Sequence, residues 1–229
     1  MTLRVRYLLF VGALIIYSCS TVPEKRTDKK PVITYQEIEK EKISENFFLE
    51  LEVPQVITEE NQSDFPVKIN SNYSGPFLIG ISNQYQYKTS QKLSQIPIKL
   101  STGEFLLMAT VLDNNGDTFQ GATYSAARIA TASSKSNIMV TVPTIWVNYV
   151  KKRKGKVLID YQVLDSDSSD YQSVRIYLDD RYLLEQKSPK RIIISGVQKG
   201  RHMVRFEVTD QQGNPLSGSF ARVERRFEM

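Results

Sequence analysis

The sequence predicts an all-β chain, with two tandem β-sandwich domains carried behind a lipidated flexible tether. Three observations predict it. From Phe47 onward, apolar residues alternate with polar ones at a period of two, the pattern of half-buried strands. Clusters rich in Asn, Asp, Gly and Pro separate those runs, as turns do. The chain also repeats itself at an offset of 97 residues, longer than a solenoid unit and about the size of a domain. The length, 229 residues, and a composition of 41% hydrophobic and 24% charged side chains suit two ordinary globular domains.

The N-terminus comes first. Arg4 and Arg6 precede Tyr7–Tyr17, a run without charge. A basic start before a short apolar stretch is the pattern of an export signal, and the run falls short of the roughly 20 residues a membrane span needs. It ends in Ile16-Tyr17-Ser18-Cys19, with an aliphatic residue, a small residue and then the single cysteine of the chain. This resembles the bacterial lipobox, from which it departs only in the tyrosine. The resemblance implies a signal peptide over 1–18, diacylglyceryl transfer to the Cys19 sulfur, and an N-terminal lipid that holds the protein to the membrane. Further acylation, such as palmitate, makes such anchoring stable. An ordinary signal peptide with an incidental cysteine is the alternative. Ser20, in the position after the cysteine, resembles outer-membrane sorting of bacterial lipoproteins. A surface and a periplasmic orientation both remain open. Residues 19–46, rich in Lys, Glu, Thr and Pro, read as the tether. A short amphipathic helix through Ile38 and Ile43 is the other reading of its second half.

The strands follow. Phe47, Leu49, Leu51 and Val53 alternate with polar neighbours, as do Phe65, Val67 and Ile69, then Phe77, Ile79 and Ile81, and then Phe105, Leu107, Ala109 and Val111. Turn clusters fall at 72–76 and 113–117. In the repeat, Ile79 falls on Ile176, Tyr85 on Tyr182, Gly103 on Gly200, Asp113 on Asp210, Gly116 on Gly213, Gly121 on Gly218 and Arg128 on Arg225. Matched turn residues imply matched strands. The first domain is placed at 47–142 and the second at 143–229, where Pro143 opens a strand holding Ile145, Val147 and Tyr149. The shared block, a glycine, an alternating strand, an Asp-x-x-Gly turn and a second strand, resembles the last hairpin of bacterial immunoglobulin-like and fibronectin type III-like domains. Val174–Asp180 is similar to their middle strand and turn. The resemblance implies immunoglobulin-like sandwiches of about seven strands each.

Candidate functional residues are few. Lys151, Lys152, Arg153, Lys154 and Lys156 crowd a turn between two strands. They read as a contact for anionic glycans, lipid headgroups or an acidic partner, or as a solvated hairpin guarded by charge. Asp165, Asp167 and Asp170 share a loop that could offer oxygens to calcium, although it lacks the EF-hand pattern; a polar turn is the alternative. His202, the single histidine, falls on an inward register at a strand start and reads as packed there. Asp179 and Asp180 read as turn residues. Trp146, Tyr149, Tyr161, Tyr171, Tyr177 and Tyr182 supply either packing or, where exposed as Tyr177 is expected to be, a surface for sugar rings or a protein partner.

One cysteine and one histidine exclude a disulfide and a Cys/His zinc site. There is no phosphate-binding loop, dinucleotide fingerprint or nucleophile elbow, so no cofactor and no catalytic residue are expected. A net charge of +5 on an exported chain does not suit nucleic acid. The expectation is a non-enzymatic, membrane-anchored lipoprotein that binds a protein or glycan partner, as in adhesion. An accessory subunit of an envelope complex facing the periplasm is the second reading, and a glycan-active enzyme the third.

Overall fold

The computed structural model describes residues 32–53, 56–57, 65–82, 85–89, 95–96, 104–121, 123–131, 143–164, 171–218 and 220–229. All belong to one compact unit, Pro31–Met229. Its strands are β1 (Thr34–Ile38), β2 (Leu49–Glu52), β3 (Val56–Ile57), β4 (Phe65–Pro66), β5 (Lys68–Ser71), β6 (Phe77–Ile81), β7 (Tyr85–Thr89), β8 (Gln95–Ile96) and β9 (Glu104–Val111). They continue with β10 (Tyr124–Thr131), β11 (Thr144–Arg153), β12 (Lys156–Leu164), β13 (Ser173–Leu178), β14 (Arg181–Gln186), β15 (Arg191–Ser195), β16 (Arg201–Thr209) and β17 (Arg222–Glu228). The chain is all-β, as its alternation predicts.

In the second half, the sheet β1-β15-β12-β11 faces the sheet β14-β13-β16-β17. Alternate residues of both enter one core, among them Val147, Ile159, Tyr161, Ile176, Ile194 and Phe206. In the first half, the sheet β3-β10-β9-β6-β7 packs on the pair β2-β5, and Leu51, Val67 and Ile69 meet Phe77, Ile79, Leu107 and Val111. The order β10-β9-β6-β7 reappears 97 residues later as β17-β16-β13-β14. The repeat extends to turns. Asp113 Oδ1 accepts from the amides of Asn115 and Asp117, each at 2.8 Å, and Asp210 Oδ1 accepts from Gln212 at 2.9 Å and Asn214 at 2.7 Å. Gly116 and Gly213 both take φ near +80°, which favours glycine at this turn position.

Two features depart from the sequence reading. Residues 34–38, read as part of a solvated tether or of a helix, form β1, which pairs antiparallel with β15 at the edge of the second sandwich. The reason is an edge otherwise left open, whose amides and carbonyls need partners. The strands β6 and β9, read as half-buried, are buried on both faces. Phe77, Ile79 and Ile81 face the first core, while Leu78, Leu106 and Met108 face away from it. Leu106 and Met108 pack with Trp146 and Leu164 of the second sandwich. Trp146 lies against the backbone of Gly80, where even a methyl group would overlap the indole ring.

Gly80→Ala is therefore expected to destabilise the chain by roughly 1–3 kcal/mol through overpacking at the joint, read as a lowered urea midpoint. An unchanged midpoint would show that the two sandwiches do not meet there. The Asp210 turn gives a pH-dependent prediction. Backbone amides, that of Asn214 foremost, hold its carboxyl below its usual range. A lowered folded pKa adds stability above the unfolded value of about 3.9 and loses it as pH falls through the folded value. Asp210→Ala should lower the melting temperature at pH 6 and converge on the parent as pH drops below that range. A deficit that stays constant with pH would contradict this.

Candidate functional site

The densest polar cluster among the described residues lies where three segments meet. Lys40, just after β1, is buried and donates its three protons to three acceptors. They are Asp160 Oδ1 at 2.9 Å, Thr118 Oγ1 at 2.6 Å and the carbonyl of Tyr161. Asp160, on β12, is fully buried. It also accepts from the Thr118 amide at 2.8 Å and from Asn148 Nδ2 at 2.7 Å. Burial pulls the Lys40 ammonium below its usual range, against the opposing pull of Asp160. Beside it, Asp117 accepts from the Tyr149 hydroxyl and pairs with Arg191 of β15. Burial first, and that hydrogen bond second, push the Tyr149 phenol well up. The backbone of Gln120 donates to Glu41 at 2.8 Å. The segment 39–42, the 113–120 turn and β11, β12 and β15 are thus tied together.

This cluster is structural in its chemistry. Each charge meets an opposite charge, and the lysine's donors are all used. Sequence reasoning missed it because Lys40 sits in a charged run that looks like tether. Asp160 did leave a signal: it is a lone acid inside the apolar stretch Val157–Leu164. A buried acid calls for a partner.

The basic residues expected in a turn are in one. Lys154 and Gly155, with φ of +49° and +74°, form the two-residue turn of the β11–β12 hairpin. Both values are positive, as the tight turn matching strand twist requires. Lys152, Arg153, Lys154 and Lys156 are exposed. Lys151 differs: its ammonium lies 3.6 Å over the Tyr149 ring, and burial lowers its pKa. The structure therefore splits the cluster into four outward cations and one held against the joint.

His202 is half-buried at the start of β16. Its Nδ1 lies 2.7 Å from Asp179 Oδ2, its Nε2 lies 2.9 Å from the Gln198 carbonyl, and its ring stacks on Phe227. It lines an open concavity of about 640 Å³ with Arg201, Met203 and Arg226. Asp179 and Asp180 make the β13–β14 turn, both at positive φ. Of the aromatic residues, Trp146 and Tyr161 are buried in packing, and burial pushes the Tyr171 phenol up to about 12. Tyr177 is half-exposed on the outer face of its sheet. The Arg205 guanidinium lies 4.2 Å over its ring, and its edge meets the exposed Tyr182. Cys19 and the loop acids Asp165, Asp167 and Asp170 lie outside the described residues.

No known protein family matches the chain, and no curated protein sequence matches it. Among solved structures it is similar to a β-glucuronidase of Parabacteroides merdae, at 10% identity and a TM-score of 0.29 over 81% of this chain and 25% of that one. It is also similar to the fibronectin(III)-like modules of Clostridium thermocellum CbhA, at 9% identity and a TM-score of 0.26 over 86% and 93% of the two chains. A third is the Bacteroides ovatus glucan-utilisation protein SGBP-B in complex with a mixed-linkage heptasaccharide, at 11% identity and 0.26 over 79% and 45%. The chain spans about a quarter of the length of the glucuronidase. Likeness at these scores carries no argument about activity.

The buried pair yields a contrast. Lys40→Met leaves Asp160 buried without its counter-charge and should cost roughly 3–5 kcal/mol. Lys190→Met removes a half-exposed lysine that pairs with Glu39 in solvent-screened surroundings and should lower the midpoint far less. Equal denaturation midpoints for the two variants would contradict a structural role for Lys40.

Proposed function

We propose that the protein is a membrane-anchored, non-enzymatic binding module. Cys19 is its point of lipid attachment, and the docked sandwiches are the body that presents a contact surface. The observation that carries this reading is the way its ionisable groups are spent. Lys40, Asp117, Asp160 and Arg191 join the N-terminal segment and the two sandwiches, while Asp179 and His202 close a strand end. Charges so used hold a shape rather than move a proton.

The partner is a protein or a glycan met through loops, sheet edges or exposed aromatic residues. A surface orientation corresponds to adhesion, and a periplasmic one to an accessory subunit of an envelope complex. Metabolic labelling with a palmitate analogue should mark the wild-type protein and leave Cys19→Ser unmarked. Labelling that survives Cys19→Ser would refute the anchor. Protease added to intact cells then separates the orientations. Digestion supports adhesion, and protection until the outer membrane is breached supports the accessory reading.

A further inference from the structure

One end of the second sandwich gathers exposed cations together with exposed apolar side chains. Strand register places the features there. Arg153 lies opposite Lys156 across the β11–β12 turn, Val157 opposite Ile194, and Thr34 opposite Ser195. On the facing sheet, Leu178 lies opposite both Arg181 and Val204, and Arg201 lies opposite Glu228. The basic hairpin, the start of β1, the β13–β14 turn and the start of β16 therefore share this end. The first sandwich meets β11 through Trp146, Asn148 and Tyr149, from the start of that strand to its middle, short of the hairpin turn at Lys154 and Gly155.

Two kinds of chemistry coincide here. Lys152, Arg153, Lys154 and Lys156 are exposed on the hairpin, and Arg181 and Arg201 are exposed on the opposite rim. Asp179 and Asp180 at the same end are paired with His202 and Arg205. Glu228 is exposed there too. Beside these cations, Ile33 and Tyr35 of the chain entering β1 face Leu178, Tyr182 and Leu183 across a cleft of about 350 Å³. Val32, Ile33, Tyr35 and Tyr182 are 80%, 41%, 49% and 59% exposed, and the last three line that same cleft rather than being scattered over the surface.

The path of the chain names the occupant. Residues 20–31 separate Cys19 from Val32, and fully extended they reach at most about 47 Å. We propose that this end of the second sandwich is a membrane-apposed surface lying against anionic lipid headgroups. The hairpin cations meet the headgroup charge, and Val32, Ile33, Tyr35 and Tyr182 enter the interface. Tyrosine suits that position, with an apolar ring and a polar tip. Basic side chains near an anionic bilayer add attraction that salt screens. The inference rests on the lipid attachment at Cys19 proposed above. It makes the second sandwich, last in the sequence, the one nearest the membrane.

The test uses the chain 19–229 carrying Cys19→Ser, which contains every described residue. Its sedimentation is measured with phosphatidylcholine vesicles, with and without phosphatidylglycerol, at low and high salt. The expected result is binding that requires the anionic lipid and falls with salt. Lys152→Ala combined with Lys156→Ala should weaken binding by about 25-fold, at roughly fivefold per basic residue, with an unchanged melting temperature. Tyr182→Ser, at an exposed position, should weaken it further at high salt. Binding unaffected by these changes, or equal on neutral and anionic vesicles, would overturn the inference. So would binding to heparin with none to vesicles. The intact mass of the protein from cells reports the lipid on Cys19 separately. An unmodified cysteine would sink the anchor, whereas absent vesicle binding would sink this surface.

Discussion

A carboxylate buried in a strand interior needs a counter-charge, and for Asp160 that charge comes from Lys40, more than a hundred residues earlier. Much of the architecture follows from meeting this need. The ammonium can reach Asp160 only if the N-terminal segment lies along the second sandwich. There β1 covers the edge of β15 and supplies its ladder of hydrogen bonds. Thr118, which shares both partners, brings the 113–120 turn of the first sandwich to the same point. One charge pair therefore fixes the course of the N-terminal segment and helps set how the sandwiches meet. Replacing such a pair by apolar residues is often neutral or stabilising in proteins, so its role is better described as specifying an arrangement than as adding stability.

The second constraint is steric. The outer face of β6 and β9 carries Leu78, Gly80, Leu106 and Met108, and the small Gly80 leaves room for the Trp146 indole. In the second repeat, the positions 97 residues later are Arg175, Tyr177, Met203 and Arg205. There the same face carries charge, with Arg205 bonded to Asp180 and Arg175 to Glu185, and remains open. Two copies of one topology have thus diverged on one face. The apolar copy accepts a neighbour, and the charged copy carries paired ions on the equivalent face.

Together these constraints reorder the molecule relative to its sequence. The chain runs through the second sandwich as β1, builds the first sandwich, then returns to complete the second. A linear reading of tether, first domain, second domain puts the first domain next to the N-terminal segment. The threading instead attaches the N-terminal segment to the second.

The sequence by itself determined the strand class, the repeat, its turns and the basic hairpin. These depend on local rules: alternation follows from the pleat, and Asp113, Asp210, Lys154 and Gly155 follow from turn geometry. Lys40 was not legible as a buried ion, because a lysine in a charged run looks the same whether solvated or folded back. Nor was β1, whose alternating polar residues suit an exposed edge as well as a tether. The apolar outer residues Leu78, Leu106 and Met108 were visible, but their partner Trp146 was not. Burial on a second face, pairing across a hundred residues and the gathering of distant cations at one end are properties of packing. Only the tertiary structure decided them, because each depends on which surfaces meet, and local spacing carries no record of that.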